Sequence, residues 1–162
     1  MNAPHIHLLL NHFPLIGCLF GTLILAGGYL LKNAIVKNVA FGVFIFTALL
    51  SIPVFFSGGQ AEEVLEKQPG FSKAYVEDHE EAAAKAIWMV ELLGIAAILS
   101  LVFSLKEKPY KNHLAIATLI FGLVAFAAMA KVNNAGGMIS HHEIRSSTSN
   151  TDSDASGQES DD

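Results

Sequence analysis

Four long apolar stretches, at about 6–31, 35–56, 82–105 and 114–133, organise the chain. Short polar connections follow the first and third, and a longer one, about 57–81, follows the second. At about 1.5 Å of rise per residue, each stretch approaches or exceeds what a helix needs to cross a hydrocarbon core of roughly 30 Å. Strand-like alternation of apolar and polar positions is absent, and helices satisfy their own backbone groups in lipid. The pattern therefore predicts an all-α, polytopic membrane four-helix bundle. The long connection adds AEEVLEK at 61–67, which reads as a short amphipathic outer helix with Val64 and Leu65 toward the membrane, stopped by Gln68, Pro69 and Gly70. Gly58 and Gly59 read as the exit of the second helix. No breaker follows Ser72, so the third helix is expected to start several turns outside the membrane. Asn2 and Pro4 resemble a helix start, which places the beginning of the first helix before His7.

Composition agrees with this division: 52% of the 162 residues are hydrophobic. The formal charge of -5 belongs to the end of the chain, since five of the 15 acids lie in its last eleven positions. Positions 146–162 are almost free of apolar side chains and read as a disordered acidic tail, leaving 1–145 as the transmembrane domain. No basic stripe is present to neutralise phosphates, which argues against nucleic acid as a partner. The lone Cys18 sits inside an apolar run and is expected to be a buried small hydrophobe. The first stretch lacks a basic leading region and is too long for a cleaved signal, so it is expected to stay. Lys32, Lys37, Lys106, Lys108 and Lys111 flank the two short connections, which the positive-inside rule places in the cytoplasm. Both termini and the long connection are then extracytoplasmic.

With four crossings, six of the seven histidines fall on one side of the membrane: His5, His7, His12, His79, His141 and His142. Only His113 lies on the other. At about 100° per residue, His79, Ala83, Ala86, Val90 and Ala97 share one stripe of the third helix, with Gly94 at its edge and Trp88 opposite. Small residues allow close helix approach, so His79 is expected to point into the bundle. In the first helix His5 and His12 share a face, while His7 lies on the other with Gly17, Gly21 and Gly28. Pro14 and Pro53 each free a carbonyl four residues earlier, at Leu10 and Leu49, and kinks there would splay the outer half of the bundle.

Imidazole suits transition metals and the axial positions of haem. A haem site needs one or two inward imidazoles with small residues around them; His12 with His79 is the preferred pair, and His7 and His141 are further candidates. A bare metal would draw on His142, Glu80 or Glu143 as well. Gly136 and Gly137 are placed to end the fourth helix and return His141 to Glu143 over the mouth of the bundle. Glu91 is expected to find an interior partner, because a carboxylate in lipid is costly. Asn11, His12 and Glu91 lie at a similar depth, with Lys131 near the rim, and Glu91, Asn11 and Lys131 are expected to support the ligands by hydrogen bonding. Glu91 can alternatively serve as a proton acceptor, or pair structurally with Lys131 or His12. The sharper enzyme motifs fail: His79 to Ala83 lacks the second histidine of H-E-x-x-H, and C-x-x-C-H, Walker and G-x-S-x-G sequences are absent.

At HIHLLLNHFPLIG, SGGQAEEVLE, HEEAAAKA and GGMISHHEIR, the chain resembles a family of bacterial four-helix membrane proteins of unknown function with an H-F-P signature in the first helix. The likeness covers about 4–145. That family is in turn similar to small membrane b-type cytochromes, which implies a bacterial inner-membrane protein binding haem b or a transition metal for electron transfer, with other membrane or redox proteins as partners. The chain departs from two-haem cytochromes, since only His113 is available on the cytoplasmic side. The competing reading is a noncatalytic structural or accessory subunit, its polar layer holding helices together.

Overall fold

A computed structural model describes residues 7, 9–65 and 73–140. Four helices make up the fold: α1 (His12–Leu30), α2 (Ala34–Leu65), α3 (Lys73–Leu105) and α4 (Lys111–Ser140). No strand occurs among the described residues. Each helix contains a segment long and apolar enough to cross a membrane, so this is a multi-pass membrane protein. α1 packs on α2, α2 on α3, α3 on α4, and α4 back on α1. The ring leaves α1 diagonal to α3 and α2 diagonal to α4.

Burial follows the interior, and large apolar side chains cover the outside. Leu30, Ile35, Phe56 and Trp88 are all at least 70% exposed, as expected of surface that meets lipid rather than water. Inside, Ala86, Val90, Gly94 and Ala97 form the buried stripe expected for α3. The fully buried Phe41 and Phe44 supply most of the bulk at the centre. The small-xxx-small motif of α1 finds its partner in α2: a Cβ at Gly17 would meet Thr47, and one at Gly21 would fall 2.5 Å from the Phe44 ring.

Both short connections are tight. After α1, the amide of Asn33 donates to the Gly28 carbonyl, and Asn33 Oδ1 accepts from the amides of Ile35 and Val36 to start α2. Lys32 and Glu107, one in each connection, take left-handed backbone conformations. These turns hold sequential helices antiparallel.

Several boundaries differ from expectation, for identifiable reasons. Residues 61–65 continue α2 instead of forming a separate amphipathic helix, so α2 passes through Gly58 and Gly59. A helix-interior glycine costs only about 1 kcal/mol relative to alanine, too little to end a helix otherwise sustained by packing. For the same reason α4 runs past Gly136 and Gly137 to Ser140. Residues 66–72, which include the stop at Gln68 to Gly70, lie outside the described residues. So do the Asn2 and Pro4 start and the tail. α3 begins at Lys73, well before its apolar part, as expected. With 32 and 33 residues, α2 and α3 reach about 48–50 Å, well beyond a hydrocarbon core of roughly 30 Å.

At the start of the first segment, His7, Leu9 and Leu10 are helical, but Asn11 is a turn and α1 begins at His12. Pro14 explains the interruption: it has no amide to donate to the Leu10 carbonyl, and it sits in the first turn of α1, where that loss is tolerated. Pro53 lies inside a continuous α2.

Candidate functional site

The end of the bundle that carries His7, His12 and His79 holds a broad, open cavity of about 940 Å³ that is mainly apolar. All four helical segments contribute to its wall. His7, Asn11 and His12 come from the first, Ser51 and Val54 from α2, His79 and Glu80 from α3, and Val132 and Gly136 from α4. At the inner end the deepest residue from each is Leu15, Ser51, Val90 and Met129, so Ser51 is the one polar group there.

Two imidazoles are oriented by contacts to different helices. His79 Nδ1 lies 3.0 Å from the carbonyl oxygen of Val132 on α4. A carbonyl only accepts, so Nδ1 carries the proton and Nε2 keeps its lone pair. His7 Nδ1 lies 2.9 Å from Ser57 Oγ on α2. The Ser57 hydroxyl already donates its proton to the Val54 carbonyl at 2.7 Å, so His7 Nδ1 is again the donor and Nε2 again carries the lone pair. His7 is thus tied across the seam with α2, and His79 across the seam between α3 and α4. Burial lowers the pKa of His7 below its ordinary 6.5, the nearby His79 lowers it further, and the Val54 carbonyl partly opposes both. A neutral His7 is the result near neutral pH.

Gly136 makes room for the His79 ring: a Cβ there would lie 3.3 Å from His79 Cε1, tighter than ordinary contact, whereas one at Gly58 would lie 3.5 Å from His7 Cε1, an ordinary contact. Gly58 and Gly136, where the sequence suggests helix ends, are instead helical positions beside the imidazoles.

His12 also lines the cavity, but it is exposed, and its Nδ1 meets the Oδ1 of its own neighbour, Asn11. Among the described residues, no hydrogen bond ties it to a second helix. Glu80 lines the wall and is exposed. Glu91 does not meet Asn11, His12 or Lys131; its Oε1 lies 2.8 Å from Ser51 Oγ. Lys131 is exposed and stands near Glu81, level with His79 rather than with Glu91. The helical register explains this: Glu91 lies ten residues inward of Glu81, about 15 Å along the axis. His141, His142 and Glu143 lie outside the described residues. His113 lies at the opposite end of the bundle, exposed beside Tyr110.

Among the described residues, no three His, Cys, Asp or Glu side chains gather closely enough to hold a metal ion. The arrangement is therefore a two-imidazole site in a large apolar cavity, with Ser57, Val132 and Gly136 as supports that the histidine count did not reveal. Compared with protein families, curated proteins and solved structures, the chain shows no match.

Proposed function

We propose that this protein binds haem b at the extracytoplasmic end of its bundle, with His7 and His79 as the two axial ligands, and takes part in electron transfer in a bacterial inner membrane. The observation that carries the reading is the pair of imidazoles whose Nδ1 atoms are both engaged by oxygen acceptors, which leaves two Nε2 lone pairs for one apolar cavity. Ligating histidines characteristically donate their other ring N–H in this way, which sets the tautomer and orients the ring. The cavity volume falls within the range of roughly 300–1,000 Å³ typical of sites for small molecules and cofactors. Bound haem would supply one-electron chemistry, its potential set by axial ligation and by the apolar surroundings.

The chain's own residues do the positioning. Ser57 and the Val132 carbonyl hold the rings, Gly136 leaves room for His79, and burial keeps His7 neutral and able to ligate. His12 is a reserve ligand, since among the described residues its hydrogen-bond partner is its neighbour in sequence. The lysines at the two short connections support an orientation with this cavity outside the cytoplasm. The resemblance to four-helix membrane proteins with an H-F-P signature is compatible with the same assignment.

The test is an optical spectrum of protein purified in mild detergent, oxidised and dithionite-reduced, followed by haem titration of any apoprotein. A Soret band with low-spin α and β bands on reduction is expected, and both His7→Ala and His79→Ala should abolish the low-spin form. A folded protein that neither carries nor takes up haem would refute the assignment and favour an accessory subunit whose polar outer layer serves assembly. Full loading of both variants would show that other residues are the ligands.

A further inference from the structure

Glu91 is an acidic residue within the apolar part of α3, and it has no ion-pair partner among the described residues. Its contact is the buried Ser51 hydroxyl of α2, at 2.8 Å. The same hydroxyl oxygen lies 2.7 Å from the carbonyl oxygen of Ala48. Ser51 has one proton and two oxygen atoms within reach, which makes the proton count decisive. With Glu91 ionised, Ser51 donates to one of them and the other short contact is oxygen against oxygen. With a proton on Glu91 Oε1, the acid donates to Ser51 Oγ and Ser51 donates to the Ala48 carbonyl. Both contacts are then hydrogen bonds.

Ser51 is also the one polar residue at the inner end of the cavity, where Leu15, Val90 and Met129 form the rest of the floor. Proton traffic between Glu91 and the cavity thus has a defined gate. The titratable groups on the surrounding elements stand apart from this pair: His7, His12, His79 and Glu80 line the cavity further out, and Lys131 of α4 stands by Glu81. On α2 the nearest lysine toward the inner end, Lys37, bonds Asn112 near the opposite membrane face.

We propose that Glu91 and Ser51 form a proton-exchange site at the floor of the outer cavity. Ser51, which lines the cavity where Glu91 does not, passes its own proton to Glu91 Oε1 as hydronium in cavity water returns one to Ser51 Oγ; one O–H bond breaks and one forms at Ser51, one forms at Glu91, water remains, and the pair passes from a charge of minus one to neutral. Release reverses the step. Ser51 reorients with each transfer, donating to Glu91 when it is ionised and to Ala48 when it is protonated. The site rests on the Ser51 geometry alone and stands whether or not the cavity holds haem.

Infrared difference spectra of the purified full-length protein, recorded between neutral and acidic pH in H2O and D2O, test this directly. Acidification should produce a carboxylic C=O band that shifts in D2O, disappears in Glu91→Gln, persists at an altered frequency in Glu91→Asp, and moves in Ser51→Ala. The exposed acids also titrate, so the wild-type minus Glu91→Gln spectrum makes the assignment. A wild-type spectrum unchanged by Glu91→Gln, or a Glu91 band insensitive to D2O, would overturn the proposal. Should Glu91→Gln not fold, carbodiimide labelling of the wild type decides: a labelled Glu91 whose yield rises on acidification supports the site, and an unlabelled Glu91 refutes it. Both readouts work on apoprotein, so loss of the haem assignment would leave this result interpretable.

Discussion

Replacing Gly94 by alanine puts a methyl group where α2 and α3 approach most tightly. A Cβ at Gly94 would lie 2.5 Å from the Ala48 Cβ. Carbon atoms pack at about 3.5–4.0 Å, so the helices must part locally by about 1 Å, and neither methyl can rotate away. Overpacking of this kind costs roughly 1–3 kcal/mol. The consequence extends beyond stability, because α2 and α3 are antiparallel and Ser51 with Glu91 lies one turn outward on the same seam. Opening the seam by about 1 Å would stretch the 2.8 Å Ser51–Glu91 contact beyond hydrogen-bond length. The assay is denaturant unfolding in detergent micelles of Gly94→Ala, Ala48→Gly and the double variant. Gly94→Ala alone should lose about 1–3 kcal/mol, and Ala48→Gly should restore much of that in its presence, giving a coupling above about 0.5 kcal/mol. A stable Gly94→Ala, or losses that simply add in the double variant, would refute the close approach of Ala48 and Gly94.

Three further outcomes follow from the geometry. Ser57→Ala removes the acceptor that orients His7, and should weaken haem binding about 10- to 100-fold in a titration of apoprotein while leaving both ligands in place; wild-type affinity would deny Ser57 its orienting role. Because His7 in the folded protein has a pKa below 6.5, the unfolded chain takes up its proton first, so stability contributed at neutral pH is lost as pH falls from about 6.5 through the depressed folded value. Unfolding measured at neutral and mildly acidic pH should show this slope, and His7→Gln should flatten it; an unchanged slope would count against a buried neutral His7. Cys18 is fully buried with a free thiol, so a maleimide should modify it only after denaturation, and rapid labelling of the folded protein would contradict the packing of α1.

Much of the fold was legible in the chain because lipid imposes a simple rule on it. Long apolar runs had to be helices, and their number placed His7, His12 and His79 at one end and His113 at the other. The α3 stripe of Ala86, Val90, Gly94 and Ala97 was readable from helical angles, and so was the outward Trp88. Angles also set His7 among Gly17, Gly21 and Gly28, the buried side of α1, and apart from His12. That signal favours His7 for the interior, and the structure leaves His7 half-buried and His12 exposed.

Helix ends and polar partners were less legible. Gly58, Gly59, Gly136 and Gly137 looked like exits because glycine weakens an isolated helix, but packing against neighbouring helices carries α2 and α4 through them. Periodicity placed Glu91 inside the bundle without naming its partner, since depth along one helix says little about the register of the next. The inner turns and the Ala48–Gly94 contact set that register and brought Ser51 to Glu91, not His12 or Lys131. Sequence by itself determined four membrane helices and the end at which the imidazoles gather, because hydrophobic length and crossing number are properties of one chain. Tertiary structure alone decided which ring nitrogens remain free and which hydroxyl meets the carboxyl, because those depend on atoms from different helices arriving within about 3 Å of one another.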